Sequence, residues 1–382
     1  MPATRGPEAV LSWSLNPATG SMAPARTGMQ DGRCGGQRAH PSSSLDYFQQ
    51  GVPVNDRGKD GPGLSVVLAT PDTFESVRLT MQHVQSQSVR QQIEVVIVGP
   101  VEQHIRPPAE AVSGLWGYQL VAAGAGMSVA RANAAGIRRA RAPVVALAEE
   151  HCFPEPGWAE ALIAAHRGPW AVVGPEMRNA NPGTIVSWCD FVMGYGPWMY
   201  PVKAGPAPFL PGHNSSYKKS ILLEYGERLE GLMESETELH LDLGRRGHEL
   251  YLEPEARAAH TNFALMSSWL PALYYAGRVF AASRFRGRRV GSLLYAAGSP
   301  LIPVVRLWRC LCELASPGRP HKLIPRMLPV LCVGLAADGW GQLAGYLLGR
   351  GEAVERLAAY EFHRYQHVPD ADRRTAEEQA PA

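Results

Sequence analysis

Val144-Val-Ala-Leu-Ala-Glu-Glu-His-Cys-Phe-Pro-Glu-Pro-Gly-Trp158 is the stretch whose reading decides the fold. Its first five residues follow Pro143 and are apolar without alternation, the pattern of a strand buried on both faces. The run stops on Glu149, Glu150 and His151, so polar side chains stand where a buried strand ends. Pro154, Pro156 and Gly157 then interrupt regular structure, and Trp158, Leu162 and Ile163 start a helical spacing. Strand, polar edge, turn and helix in this order form part of an alternating α/β chain. Its polar edge falls where open sheets bind their ligands.

Upstream the same grammar repeats. Leu64-Ser-Val-Val-Leu-Ala69 reads as a first strand, Thr70-Pro-Asp-Thr73 as a turn and helix N-cap, and Phe74, Val77, Met81 and Val84 share one helical face. Ile93-Glu-Val-Val-Ile-Val98 returns to a strand and stops at Gly99-Pro100. A helix is expected from Met127 to about Arg141. Downstream, a strand from Trp170 to Val173 is expected to close at Gly174-Pro175. Thr70 to Asp72, Gly99 and Glu149 to His151 would therefore converge at the carboxyl ends of neighbouring strands.

The remainder of the chain bounds the function. Among 382 residues, 37 Lys and Arg against 35 Asp and Glu leave a net charge of +2, too little to argue for a nucleic-acid partner. The six cysteines form no C-x-x-C pair, which favours thiols in a reducing, cytosol-facing setting. No basic stretch followed by an apolar run of signal-peptide length is seen near the start. There is no phosphate loop of P-loop type, no G-x-S-x-G elbow and no Cys/His set at zinc spacing. Residues 1–63, rich in Pro, Gly, Ser and Arg, read as a disordered extension; 64–265 as the α/β domain; 266–360 as a helical, membrane-associating region; and 361–382 as a polar tail.

Two apolar stretches carry the membrane expectation. Val290 to Val305 is interrupted by Pro300 and Pro303, whereas Met327 to Gly349 holds a single charge, Asp338, and is long enough to cross a bilayer. Arg278, Arg284, Arg286, Arg288 and Arg289 precede the first stretch, a cluster suited to an anionic cytoplasmic leaflet. The segment 290–349 is thus expected at the cytoplasmic face, peripheral or integral. The competing reading is a pair of helices buried in a soluble core or a dimer interface.

From about Leu64 to Asn262 the chain resembles the family 2 glycosyltransferases. Ser65-Val-Val-Leu-Ala-Thr70 looks like the family's opening strand, and Gln87 with Glu94-Val-Val-Ile-Val98 like its second. Val144 to Trp158 follows the family's strand, acidic triplet and Pro-x-Pro-Gly-Trp run; matched backwards from Pro154, Glu149 and His151 fall on the metal-linked positions of the Asp-x-Asp motif, with Glu150 between. Gly212-His-Asn-Ser-Ser-Tyr-Lys218 resembles the acceptor-side Gly-x-Asn-x-x-Tyr-Arg segment. In Glu234-Ser-Glu-Thr-Glu-Leu-His240, Ser235 and Glu236 match the family's Glu-Asp pair, and Arg245 to Pro254 followed by His260 matches its last strand and terminal histidine. Three departures stand out: Gly99 replaces an aspartate that contacts the base, Ala69 and Pro71 replace Pro and Tyr, and Asp72 occupies an asparagine position.

The resemblance implies a GT-A fold, a mixed and mainly parallel sheet flanked by helices, followed here by the C-terminal apolar helical region. It implies sugar transfer from a nucleoside diphosphate sugar to an acceptor hydroxyl, inverting and metal-assisted. Glu236 is then the catalytic base; Thr70, Asp72, Glu149 and Glu150 bind the nucleotide sugar; and His213 and Asn214 face the acceptor. Glu149, His151 and His260 hold Mn²⁺ or Mg²⁺. A membrane setting favours a lipid-linked or envelope glycan as acceptor. An E-x-H pair supplies less negative charge than two aspartates and makes metal affinity more sensitive to pH. Each residue has a blander role open to it: Asp72 as a helix cap, Glu234, Glu236 and Glu238 as an acidic helix start, His213 and Asn214 as loop fasteners, and His260 as a structural histidine. The competing function is a catalytically degenerate relative that binds a nucleotide, glycan or partner at the membrane.

Overall fold

The computed structural model describes residues 61–124, 126–284 and 289–381. β1 (Leu64–Ala69) is followed by α1 (Phe74–Gln85), β2 (Ile93–Gly99), β3 (Gly117–Ala122), α2 (Val129–Arg139) and β4 (Val144–Ala148). All four strands run parallel, in the spatial order β3-β2-β1-β4. Every residue of β1, β2 and β4 is buried, as their unbroken apolar runs require. Leu64, Val66 and Leu68 pack on the face covered by α1, while Val67 and Ala69 join Ala130, Ala134 and Ile137 of α2 on the other. Gly136 lets α2 sit against the sheet, because a Cβ there would lie 2.4 Å from Val67 Cγ1. Strand addition reverses between β1 and β4, which places a ligand crevice at the carboxyl ends of these two strands.

The second half of the sheet is mixed. β5 (Cys152–Pro154), α3 (Trp158–Ala165), β6 (Val172–Asn179), α4 (Ile185–Tyr195), β7 (Gly205–Pro206), β8 (Ser216–Lys218), α5 (Lys219–Leu223), α6 (Arg228–Met233), α7 (Glu236–Arg245) and β9 (Leu250–His260) follow in turn. The nine strands lie in the order β3-β2-β1-β4-β8-β6-β9-β5, with β7 on β9. β8 is antiparallel to both β4 and β6, whereas β6 and β9 are parallel. The architecture is the expected mixed, largely parallel sheet between helices. One boundary differs: β6 does not stop at Gly174-Pro175 but runs to Asn179. β8 pairs with Val172 and Val173, so Pro175 is not called on to donate to that neighbour, and the register with β9 shifts between Pro175 and Glu176.

Beyond β9 the chain is helical: α8 (Met266–Arg284), α9 (Arg289–Gly298), α10 (Ile302–Ala315), α11 (Ile324–Leu348), α12 (Ala353–Glu361) and α13 (Asp370–Gln379). The first apolar stretch is split by a turn of 3₁₀-helix at Ser299–Leu301, where Pro300 sits. The second forms α11, which rests on α8 through Gly341 and Gly345. A Cβ at Gly341 would stand 2.0 Å from Tyr274 O, and one at Gly345 2.4 Å from Arg278 O. Arg306 of α10 pairs with the buried Asp338, which also accepts a bond from Gln342 at 2.8 Å. His321–Leu348 is, among the described residues, the one helix long and apolar enough to cross a membrane, and 33% of its apolar window is buried. Arg286 and Arg288 of the expected basic cluster lie outside the described residues, as do residues 1–60 of the expected disordered extension.

Residues 361–381 do not extend as a free polar tail. Phe362 and Arg364 are buried, and Asn181 Nδ2 donates to Asp372 Oδ2 at 3.3 Å. The segment instead packs against the crevice, and its buried Arg364 is neutralised by Asp190 on α4 and by Glu361.

Candidate active site

Glu149 emerges from the carboxyl end of β4 into the crevice and becomes the hub of the site. His260, last residue of β9, brings Nε2 to 3.6 Å from Glu149 Oε2, and His151 brings Nε2 to 3.8 Å from Oε1. The pairing of Cys152 with His260 at the start of β5 fixes this closeness, since it holds the triplet beside the end of β9. Ligand atoms of Glu149, His151 and His260 all lie within 4.8 Å of one another. Two ligands about 2.1 Å from one ion stand at most about 4.2 Å apart, so the two glutamate–histidine distances fit a shared cation and a small ring movement completes the set.

The chemistry of the donors agrees. Neither ring nitrogen of the buried His151 makes a hydrogen bond; Nδ1 faces Glu150, and Nε2, on the side of Glu149, is left for a bound cation. His260 Nδ1 lies 2.8 Å from Asn262 Oδ1 and donates to it, since an amide oxygen only accepts; Nε2 is left as the lone-pair nitrogen that faces Glu149. Burial, with His151 nearby, keeps the His260 imidazole well below its usual range and hence neutral. Burial would raise the Glu149 carboxyl, yet the neighbouring His151 and His213 and the Asn214 amide outweigh it and hold the group well below the usual carboxylate range. The cluster therefore offers one carboxylate and two imidazoles, a donor set that suits a divalent cation.

Asn262 belongs to an asparagine network. Its Nδ2 donates to Asn179 Oδ1 at 2.9 Å, and its backbone N–H donates to Asn181 Oδ1 at 2.8 Å. This fastens the end of β9 to the end of β6. Asn214, expected on the acceptor side, spends its amide on Glu149 Oε2 at 2.7 Å and on Tyr195 OH at 3.1 Å. Tyr195, at the end of α4, also donates toward Glu149 Oε2 at 3.4 Å and rests its ring 4.5 Å from that of His260.

Glu236 opens α7 and is buried rather than displayed as part of an exposed acidic helix start. Its Oε1 lies 3.1 Å from Nδ1 of the half-exposed His213. Gly212 makes this approach possible, because a Cβ there would meet Glu236 Cβ at 2.2 Å. Burial pushes the Glu236 carboxyl up against the pull of His213. Burial draws His213 down, but Glu236, Glu149 and Glu361 overcome it and raise the imidazole to about 9. The pair is thus a carboxylate held by an imidazolium. His213 lines the same cavity as Glu149, Glu150 and His151, and it is the residue that links that cavity to Glu236.

At the nucleotide end the residues are more engaged. Thr70 is buried and its hydroxyl donates to Thr73 O at 3.1 Å, which closes the turn after β1. Thr73, not Asp72, stands at the N-cap of α1. Asp72 is exposed, with Oδ2 3.6 Å from His363 Nδ1. Glu150 is buried with Oε1 3.2 Å from His151 Nδ1. Gly99 has no room for a carboxylate: a Cβ would lie 2.4 Å from Ile105 Cγ2, so this buried isoleucine fills the place.

Several residues of the site carry no local signal. Tyr195, Asn262, Glu361, Phe362 and Arg364 come from segments that read as a helix, a strand end and a tail, and only the Asn-rich spacing of Asn179, Asn181 and Asn262 hints at a polar network. Glu361 and Phe362 line the cavity together with Ala69, Val129, Asn133 and Ala148. Arg364 lies over the Phe263 ring at 3.7 Å from its centroid and pairs with Glu361 and, at 3.6 Å, with Asp190.

No family model matches the chain, and no curated protein matches it. Solved structures with a related arrangement exist. GalNAc-T7 with UDP, GalNAc and Mn²⁺ is 15% identical with a TM-score of 0.42 over 53% of this chain and 43% of its own, so this chain spans less than half of that one. The mannosyltransferase PcManGT of Pyrobaculum calidifontis, in complex with GDP-Man and Mn²⁺, is 13% identical with a TM-score of 0.42 over 80% of this chain and 88% of its own. TarS 1–349 of S. aureus is 12% identical with a TM-score of 0.39 over 74% and 90%.

Proposed function

We propose that this chain is a glycosyltransferase that moves a sugar from a nucleoside diphosphate sugar to an acceptor hydroxyl with inversion. The observation that carries the reading is that Glu149 and His151 share one cavity with His213 at the switch point of the sheet, with His260 against Glu149 and Glu236 against His213. Glu149, His151 and His260 would hold a divalent cation, whose charge when bound neutralises the diphosphate and eases its departure. Two imidazoles among three ligands favour Mn²⁺ over Mg²⁺, which prefers oxygen alone.

Glu236 is the base. It accepts the acceptor's hydroxyl proton as that oxygen bonds to the anomeric carbon, while the carbon–oxygen bond to the diphosphate breaks and its electron pair leaves with the nucleotide. His213 keeps Glu236 ionised and fixes its rotamer, since the imidazolium gains from a facing carboxylate. Tyr195 and Asn214 orient Glu149, and Asn262 sets the tautomer of His260. Asp72 is available to ribose or base from the rim of the cleft.

The surface of the helical region supports a membrane setting for the acceptor. Of the large apolar side chains exposed among the described residues, most fall on α9, α10 and α11 and the turn between α9 and α10, including Leu293, Leu294, Val304, Trp308, Trp340 and Leu348. Val333, Trp340 and Leu347 recur every seven residues on the side of α11 turned away from α8. Exposed Arg309, Lys322 and Arg326 add positive charge beside this face, which suits anionic lipid and an acceptor such as a lipid-linked or envelope glycan. The crowded glycine seam favours α11 lying along the interface with α8 attached.

The deciding experiment is hydrolysis and transfer from a panel of nucleoside diphosphate sugars, with Mn²⁺ or with EDTA, by wild type and Glu236→Gln. Metal-dependent turnover that the substitution removes while Mn²⁺ binding persists is the expected result. Nucleotide binding without turnover in any acceptor mixture would favour the degenerate binding protein instead.

A further inference from the structure

We infer that residues 361–363 occupy the donor's own place in the cleft, so that the nucleoside diphosphate sugar enters only when the end of α12 swings aside. The inference rests on the transferase reading and concerns the regulation of the same site. Phe362 is 7% exposed and belongs to the apolar cluster that includes Ala69 and Ala130, at the ends of β1 and the start of α2. Those are the positions a nucleoside would cover at this switch point. Glu361, its carboxylate paired with Arg364, lines the cavity that also holds Glu149 and Glu150, and His363 stands over Asp72. The cavity left between them is ≈ 20 Å³, space for one or two waters. Ligand pockets for molecules the size of a nucleotide sugar are on the order of several hundred Å³, so the two occupants exclude each other.

Charge points the same way. A diphosphate brought against Glu361 meets a third carboxylate in a site that needs net positive charge, and displacement of the segment carries that carboxylate off. A hinge is present as well. Gly349 and Gly351 flank the α11–α12 joint with φ of 73° and 49°, left-handed values that glycine takes without strain. The segment is held on its far side by His367, whose carbonyl accepts from Ala264 N at 3.2 Å and whose Nδ1 lies 2.9 Å from Ser268 Oγ. Movement can therefore be confined to the stretch between the glycines and His367.

The test uses the full chain with Mn²⁺ and the free nucleotides UDP, GDP, ADP and dTDP as probes. Dissociation constants are measured for wild type, Phe362→Ala and Glu361→Gln, and backbone hydrogen exchange is followed over residues 358–367. The expected result is nucleotide binding about tenfold or more tighter in Phe362→Ala, because the closed population is removed, with a smaller gain in Glu361→Gln. In wild type the amides of this stretch should exchange faster once nucleotide is added. Should wild type and both variants bind one nucleotide with the same constant, or the stretch stay protected in the complex, the occupancy is overturned while the transferase reading stands. No binding of any nucleotide by any of the three proteins overturns both. Thermal unfolding of each variant separates loss of fold from loss of binding.

Discussion

Asn262 is the residue whose removal tests the architecture of the site most directly. Its side-chain oxygen accepts the His260 Nδ1 proton at 2.8 Å, and the residue is 1% exposed. In Asn262→Ala that buried N–H loses its partner, which costs about 1–3 kcal/mol of stability. Asn179 Oδ1 keeps its bonds from Asn181 N and Ser187 Oγ, so no second group is orphaned. The imidazole is then free to rotate and to shift its proton to Nε2, the nitrogen that faces Glu149. Loss of such a support weakens metal binding about 10–100-fold, or about 1.4–2.7 kcal/mol. Asn262→Asp keeps an acceptor on Nδ1 but sets its second oxygen against Asn179 Oδ1 and His260 O, so it should cost stability while losing less Mn²⁺ affinity than Asn262→Ala. Titration of the full chain with Mn²⁺ by calorimetry or by loss of the free-ion electron paramagnetic signal gives the constants. An unchanged constant in Asn262→Ala, or equal loss in both variants, would refute the assignment of His260 as an oriented ligand.

The His213–Glu236 pair predicts a pH signature in stability. His213 is raised from 6.5 to about 9 in the fold, so its contribution is complete below about pH 6.5 and is lost as pH rises through about 9; the melting temperature of wild type relative to His213→Gln should fall across that window, and a flat difference would remove the ion pair. Gly341→Ala forces a methyl against the backbone of Tyr274 and should destabilise by about 1–3 kcal/mol, whereas Gly231→Ala in α6, with open space around it, should stabilise by about 0.5–1 kcal/mol in denaturant unfolding. Trp308→Asp with Trp340→Asp should release the chain from phosphatidylcholine vesicles containing phosphatidylglycerol, and binding by wild type should weaken in salt; co-sedimentation that ignores both changes would set the lipid face aside.

Much of the fold was legible because it is local. β1, β2 and β4 announce themselves as short apolar runs, and α1, α2 and α3 by spacing and flanking turn residues, all within windows shorter than about twenty residues. The boundary that went astray, Gly174-Pro175, was read correctly as a breaker; only the bulged register with β9, some eighty residues away, tells that the strand absorbs it. β3 and the short β5, β7 and β8 have too little length or pattern to be read alone.

The sequence by itself determined the residue types at the end of β4, and with them a carboxylate and an imidazole two positions apart in a sheet crevice. It also marked Glu236 and His260 as charged or ligating groups at the ends of regular elements. Tertiary structure alone decided which of these meet: the β5–β9 pairing carries His260 to Glu149, the close approach at Gly212 sets Glu236 beside His213, and the Asn214 amide donates to Glu149. It also brings Glu361 and Phe362 of the polar C-terminal stretch to line the cavity. The reason is physical. Strand and helix preferences are set by neighbours in the chain, whereas burial of Phe362, pairing of Arg364 and orphaning of His151 depend on groups brought together from distant positions, and no local pattern records that distance.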